Sequence, residues 1–135
     1  MVYPQLTTAQ LLELEQNGIA IASHTHTHPM LDQCSMDVVH YELKKSFDVL
    51  TRMGLPHANL FAFPNGNSNP AIEQAVEQAG YHAAFIFDHR VTGAIQNRFA
   101  ISRLSVNDTT PMWKFQFILS GVHSKWVQWR KKRGI

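Results

Sequence analysis

Gly18-Ile19-Ala20-Ile21-Ala22-Ser23-His24-Thr25-His26-Thr27-His28-Pro29 is the stretch on which the fold of this chain turns. Its first half is apolar, compact and opened by a glycine, which predicts a short buried strand over 18–23. Its second half sets three histidines at alternate positions just past that strand. Imidazole is the commonest metal-ligating side chain. Left extended, the segment would hold His24 and His28 about 13 Å apart on a rise of about 3.3 Å per residue, too far to share an ion. Turned helically, it brings them within about 6 Å and points His26 away. A turn just past a strand favours the second arrangement. His24 and His28 are therefore the expected ligands, with His26 a neighbour placed to line a substrate groove. An exposed polar loop of idle histidines is the plainer alternative, and two imidazoles fall short of the three protein ligands usual in a catalytic zinc site.

Upstream, Thr7-Thr8-Ala9-Gln10 reads as a capped helix start leading into Leu11, Leu12 and Leu14, and Gly18 stops that helix. Downstream, a helix from about Ser35 carries Met36, Val39, Leu43, Phe47 and Leu50 along one face, a core stripe ending before Gly54. Residues 59–63 form a second expected strand. Pro70 opens a helix with Ile72, Ala75, Val76 and Ala79, and residues 81–87 and 99–106 read as two further strands. A loop with Gly93 separates those two. One helical segment from Trp113 to Trp126 then closes the pattern. Strands alternating with helices of this length imply right-handed crossovers and a mostly parallel sheet of about four strands with flanking helices. Ligands bind such sheets at the carboxyl ends of the strands, which here are followed by the polar clusters 24–28, 64–69 and 88–90.

The 135 residues allow one domain, and 44% apolar with 16% charged residues is a folding composition. No apolar run reaches the roughly 20 residues of a membrane span, and Met1-Val2-Tyr3-Pro4-Gln5 lacks the basic and apolar parts of a signal peptide. The compartment stays open. A single cysteine, Cys34, excludes a disulfide framework or a site built on several thiolates. The net charge of +2 is uneven: residues 1–124 carry seven basic and ten acidic side chains, while Lys125, Arg130, Lys131, Lys132 and Arg133 crowd the last eleven positions. The body is no footprint for nucleic acid, and the basic tail 125–135 reads as a solvated segment able to attract phosphates or an anionic membrane. Trp126 and Trp129 read as packing residues, with sugar platforms as the other reading.

The histidine stretch with Met30-Leu31 resembles the metal-binding motif of the polysaccharide deacetylases, the NodB-like group also called carbohydrate esterase family 4, in which a Gly and an apolar strand precede Ser-His-Thr/Ser-x-x-His-Pro-x-Leu. Phe61-Ala62-Phe63-Pro64-Asn65-Gly66 is similar to the family's aromatic-Pro-x-Gly segment, and Ala79-Gly80-Tyr81 to its Ala-Gly-Tyr. The resemblance covers roughly residues 5–106. It implies an α/β fold of the distorted (β/α) barrel type, present here in part, and metal-dependent hydrolysis of an N- or O-acetyl group on a glycan. Zinc is the implied ion, with cobalt, nickel and manganese as alternatives. By match of position His24 and His28 are ligands, and a backbone N–H at Asn65, after Pro64, is the oxyanion donor. Asp88 falls near an acidic residue that tunes the family's catalytic pair, although an aspartate at a strand end is also a common turn former. Arg103 resembles an arginine late in some members, and a buried pairing with Asp88 or Asp108 explains it as well as a substrate contact in the groove does.

The chain departs from the pattern at the Asp-Asp motif that gives the family its third ligand and general base, because no Asp-Asp pair occurs in it. The single domain 1–135 therefore reads as N-terminally truncated. No Leu-His motif supplies a general acid, since His123 lies too late and in a helical context. A (β/α)₈ barrel needs about 200–250 residues, so the sheet is expected to stay open and to invite self-association or a missing N-terminal segment. The rival reading is a catalytically inactive carbohydrate- or metal-binding module.

Overall fold

The computed structural model describes residues 5–88, 90–91 and 95–134. The reading of the first four residues, and the expected turn residues His89 and Gly93, lie outside them. Helix α1 (Thr8–Gln16) starts on the capping box that its sequence predicts, with the Thr7 hydroxyl accepting from the Gln10 N–H and the Gln10 side chain accepting from the Thr7 N–H. Helix α2 (Met36–Arg52) buries Val39 and Leu43 and half-buries Phe47, whereas Met36 at its start is exposed. Strand β1 (Leu60–Ala62), a 3₁₀ turn (Pro64–Gly66), helix α3 (Pro70–Gln78) and strand β2 (Ala83–Ile86) follow. Pro70 takes the first turn of α3, where its missing N–H costs nothing, and the Asn69 side chain caps it. Strand β3 (Ile101–Ser102) and helices α4 (Met112–Leu119) and α5 (Val122–Arg133) complete the chain.

The sheet is parallel, in the order β1-β2-β3, with Leu60 opposite Ala83 and Phe85 opposite Ile101. Helices α2 and α3 pack against each other and close the core over Phe61, Phe63, Tyr81 and Ala84. Three expectations are corrected in detail. The first strand is reduced to one bridge, between Ser23 and Phe61. Two of its donors are spent elsewhere: Ile19 N–H closes α1 on Leu14 O, and Ile21 N–H donates to the Glu15 carboxylate at 2.7 Å. The last strand ends at Ser102 because β2 ends at Ile86, where Phe87 N–H turns aside to Gly66 O at 3.1 Å. The terminal helix is two helices broken at Gly121, which has a left-handed φ of 75°, and the basic tail belongs to α5. The fold is thus α/β with an open three-stranded parallel sheet, one strand fewer than expected.

A buried polar cluster ties these layers together. The Tyr81 hydroxyl lies 2.8 Å from Ser23 Oγ, 2.9 Å from Ser46 Oγ and 3.1 Å from Leu43 O. Burial pushes its pKa up, so it stays protonated and can donate. Tyr81→Phe keeps the ring and removes the shared hydroxyl, leaving buried Ser23 and Ser46 short of a partner. A loss of about 1–2 kcal/mol in urea unfolding is expected.

Candidate functional site

Ser23 is fixed from both sides, by its bridge to β1 and by Tyr81, and His24 is the next residue. The His24 Nδ1 lies 2.6 Å from the Ala62 carbonyl at the end of β1. A carbonyl only accepts, so Nδ1 carries the proton, and in the neutral tautomer this leaves the lone pair on Nε2. The His24 and His28 ring centres are 4.8 Å apart, with the planes at 73°. Two imidazoles bound to one tetrahedral ion at about 2.0–2.1 Å have ring centres about 5 Å apart, a separation close to that of this pair. The helical turn expected over 24–28 does not form. The loop instead turns through left-handed Thr25 (φ 68°) and His28 (φ 63°), a conformation that β-branched threonine rarely adopts.

The loop is held by a residue the sequence reading missed. Glu42, on the buried side of α2 and 3% exposed, accepts from His26 N–H at 2.7 Å, Thr27 N–H at 2.8 Å and the Thr27 hydroxyl at 2.6 Å. Burial pushes its carboxyl up, but these three donors outweigh it and leave the pKa below its ordinary value. The signal was present: Glu42 sits between Val39 and Leu43 in the apolar stripe, where a lone carboxylate needs buried partners.

His24 and His28 open into a cleft of about 400 Å³ that is also lined by Phe63, Asn65, Phe87 and Arg103. Pro64 is buried, and Asn65 is, among the described residues, the third non-glycine residue with a left-handed backbone (φ 53°). Arg103 donates to Phe63 O at 2.9 Å and to Ile86 O at 3.3 Å, and burial lowers its pKa. Its partners are strand-end carbonyls rather than Asp88 or Asp108. Asp88 is bound by the Ser102 hydroxyl and the Arg90 side chain. Burial pushes Asp88 up, and those bonds outweigh it, leaving its pKa lowered. Asp88 lines a neighbouring cavity of about 670 Å³ between the strand ends and α5, not the histidine cleft. His26 also faces elsewhere, its ring edge-on to Tyr41 at 6.2 Å. Among the described residues, no group of three His, Cys, Asp or Glu side chains is placed to hold one ion. The histidine pair thus offers two nitrogen donors, with no third donor beside it among the described residues.

The sequence profile of the polysaccharide deacetylase family matches residues 3–84, and this chain belongs to that family. It is 26% identical over 102 residues to YxkH of Bacillus subtilis (strain 168), a protein assigned to the polysaccharide deacetylases; the match covers 76% of this chain and 37% of YxkH. The deacetylase PplD of Streptococcus pyogenes, solved with acetate, superposes with a TM-score of 0.73 at 25% identity, over 82% of this chain and 49% of PplD. A de-N-acetylase of Aggregatibacter actinomycetemcomitans gives a TM-score of 0.70 at 19% identity, over 84% of this chain and 53% of that one. The fold is therefore that of the NodB-type deacetylases. The chain spans about half or less of the length of these relatives.

Proposed function

We propose that this chain carries the histidine-bearing part of a metal-dependent deacetylase site acting on an N- or O-acetyl group of a glycan. The observation that carries the reading is the convergence of His24 and His28 in the cleft beside Asn65, with the His24 tautomer set by Ala62 O. His24 and His28 would hold the ion, zinc first among the candidates. When bound, such an ion polarises the acetyl carbonyl and generates a nucleophile from water at neutral pH. The residues of the chain supply the rest of the setting. Phe63 and Phe87 wall the cleft with apolar surface suited to an acetyl methyl group. The Asn65 backbone N–H is the proposed donor to the oxygen that becomes negative, a role typically worth about 3–4 kcal/mol in the transition state. Arg103 places a cation at the same wall and holds together the ends of β1 and β2.

The third ligand and the general base are proposed to come from carboxylates on a segment beyond these 135 residues or on a second chain. A second reading, an inactive carbohydrate- or metal-binding module, is favoured by one observation: among the described residues no carboxylate joins the histidine pair. Zinc dialysis followed by metal analysis tests the site. About one ion per chain, absent from His24→Ala/His28→Ala, is the expected result, and no bound zinc in the wild type would overturn the proposal. Release of acetate from chitin oligomers by this chain alone would eliminate the inactive-module reading.

A further inference from the structure

All three tryptophans of the chain, Trp113, Trp126 and Trp129, lie in the α4–α5 hairpin, beyond the residues matched by the family profile. None is packed away: they are 67%, 47% and 48% exposed, and apolar Met112, Leu119 and Val122 of the same two helices are 67%, 56% and 52% exposed. The packing role expected for Trp126 and Trp129 is thus corrected. The inner side of the hairpin is anchored, since Ser124 is buried and its hydroxyl accepts from Val91 N–H at 2.8 Å. On the outer side, Val122, Lys125, Trp126, Trp129 and Arg133 are exposed at helical spacing along one face of α5. Arg130 lies over the Trp126 ring at 5.1 Å and Arg133 over Trp129 at 4.3 Å. Cations and indoles are therefore paired on the same surface.

Charge divides along the same line. Residues 1–108 carry six basic and ten acidic side chains, whereas residues 109–135 carry six basic and none acidic. An anionic surface would attract the hairpin and repel the rest of the chain, which fixes an orientation as well as an affinity. We infer that the α4–α5 hairpin is a peripheral docking surface for an anionic lipid bilayer. A polyanion such as nucleic acid would satisfy the cations, but it has no use for exposed Met112, Leu119 and Val122. The headgroup boundary of a bilayer takes anion-seeking cations, interfacial indoles and aliphatic side chains together. Among the described residues no helix is long and apolar enough to cross a membrane, so the contact is with the surface.

The 135-residue chain with sucrose-loaded vesicles tests this without reference to the cleft. Vesicles of phosphatidylcholine with 30% phosphatidylglycerol are expected to bind at least tenfold more tightly than pure phosphatidylcholine at about 0.1 M salt. Binding should shift tryptophan emission to the blue, and brominated acyl chains should quench it. Each cation near an anionic surface multiplies binding by about fivefold, so Lys125→Gln/Arg130→Gln/Arg133→Gln should weaken it about a hundredfold. Trp126→Ala/Trp129→Ala should weaken it while leaving its salt dependence intact. If the charge variant does not fold, raising salt to about 0.5 M on the wild type must release the bound chain. Equal binding to neutral vesicles, no binding to the anionic ones, or single-stranded DNA bound more tightly than the vesicles with no bromolipid quenching would overturn the inference, the last assigning the surface to nucleic acid.

Discussion

Gly66→Ala is expected to cost the fold about 3 kcal/mol and to lower the melting temperature by about 10 °C, read by urea and thermal unfolding. A Cβ at position 66 would sit 2.0 Å from Phe87 Cβ, 2.3 Å from Phe87 N and 2.6 Å from Phe87 Cα, and the backbone there has a φ of 75°. Two of the three obstacles are main-chain atoms, so no rotamer change relieves them. The Phe87 N–H must also leave Gly66 O, the bond that ends β2. Because Phe87 lines both the histidine cleft and the larger cavity beside it, the same substitution should disturb both. A variant as stable as the wild type would show that the two loops do not meet in this way.

The second large effect is expected at Glu42. Glu42→Ala removes the acceptor of three hydrogen bonds and strands two loop N–H groups, a cost of about 3 kcal/mol, while Glu42→Gln keeps the shape and one acceptor oxygen and should cost about half as much. The sign of the pH dependence follows from the lowered pKa of this carboxyl. A carboxylate whose folded pKa is depressed adds stability that is complete above its unfolded value, about 4.3, and is lost as pH falls through the folded value. The gap between wild type and Glu42→Gln should therefore be full near pH 7 and shrink below about pH 4. A gap that widened on acidification would contradict the role. Binding of the ion proposed for His24 and His28 should weaken in parallel, because the loop that carries His28 loses its brace.

Local signals made much of this fold legible. The Thr7–Gln10 box and the proline opening α3 each act over a few residues, and each forms where the sequence places it. The errors arose where distant groups compete for the same backbone. Periodicity marks 18–23 as a strand, but Glu15, six residues before Ile21, takes the N–H that a ladder would need. Strand 99–106 is cut short by the turn of Phe87 toward Gly66, which is set on another loop. The spacing of His24 and His28 brought the pair to notice, yet their approach depends on left-handed residues and on Glu42 rather than on a helical turn. The tautomer of His24 rests on Ala62, 38 residues away. That distance in sequence is why no motif announces it.

Among the described residues, the three non-glycine residues with left-handed backbones, Thr25, His28 and Asn65, all border or lead into the histidine cleft. Each such conformation stores about 1 kcal/mol or more, held in place by the surrounding fold. The mouth of the cleft is therefore the segment with the most to gain from local opening, and it should exchange its amide hydrogens well before β1 and β2 do. A weakened core would release this geometry first, so any chemistry performed there would fade with temperature while the sheet beneath still stood.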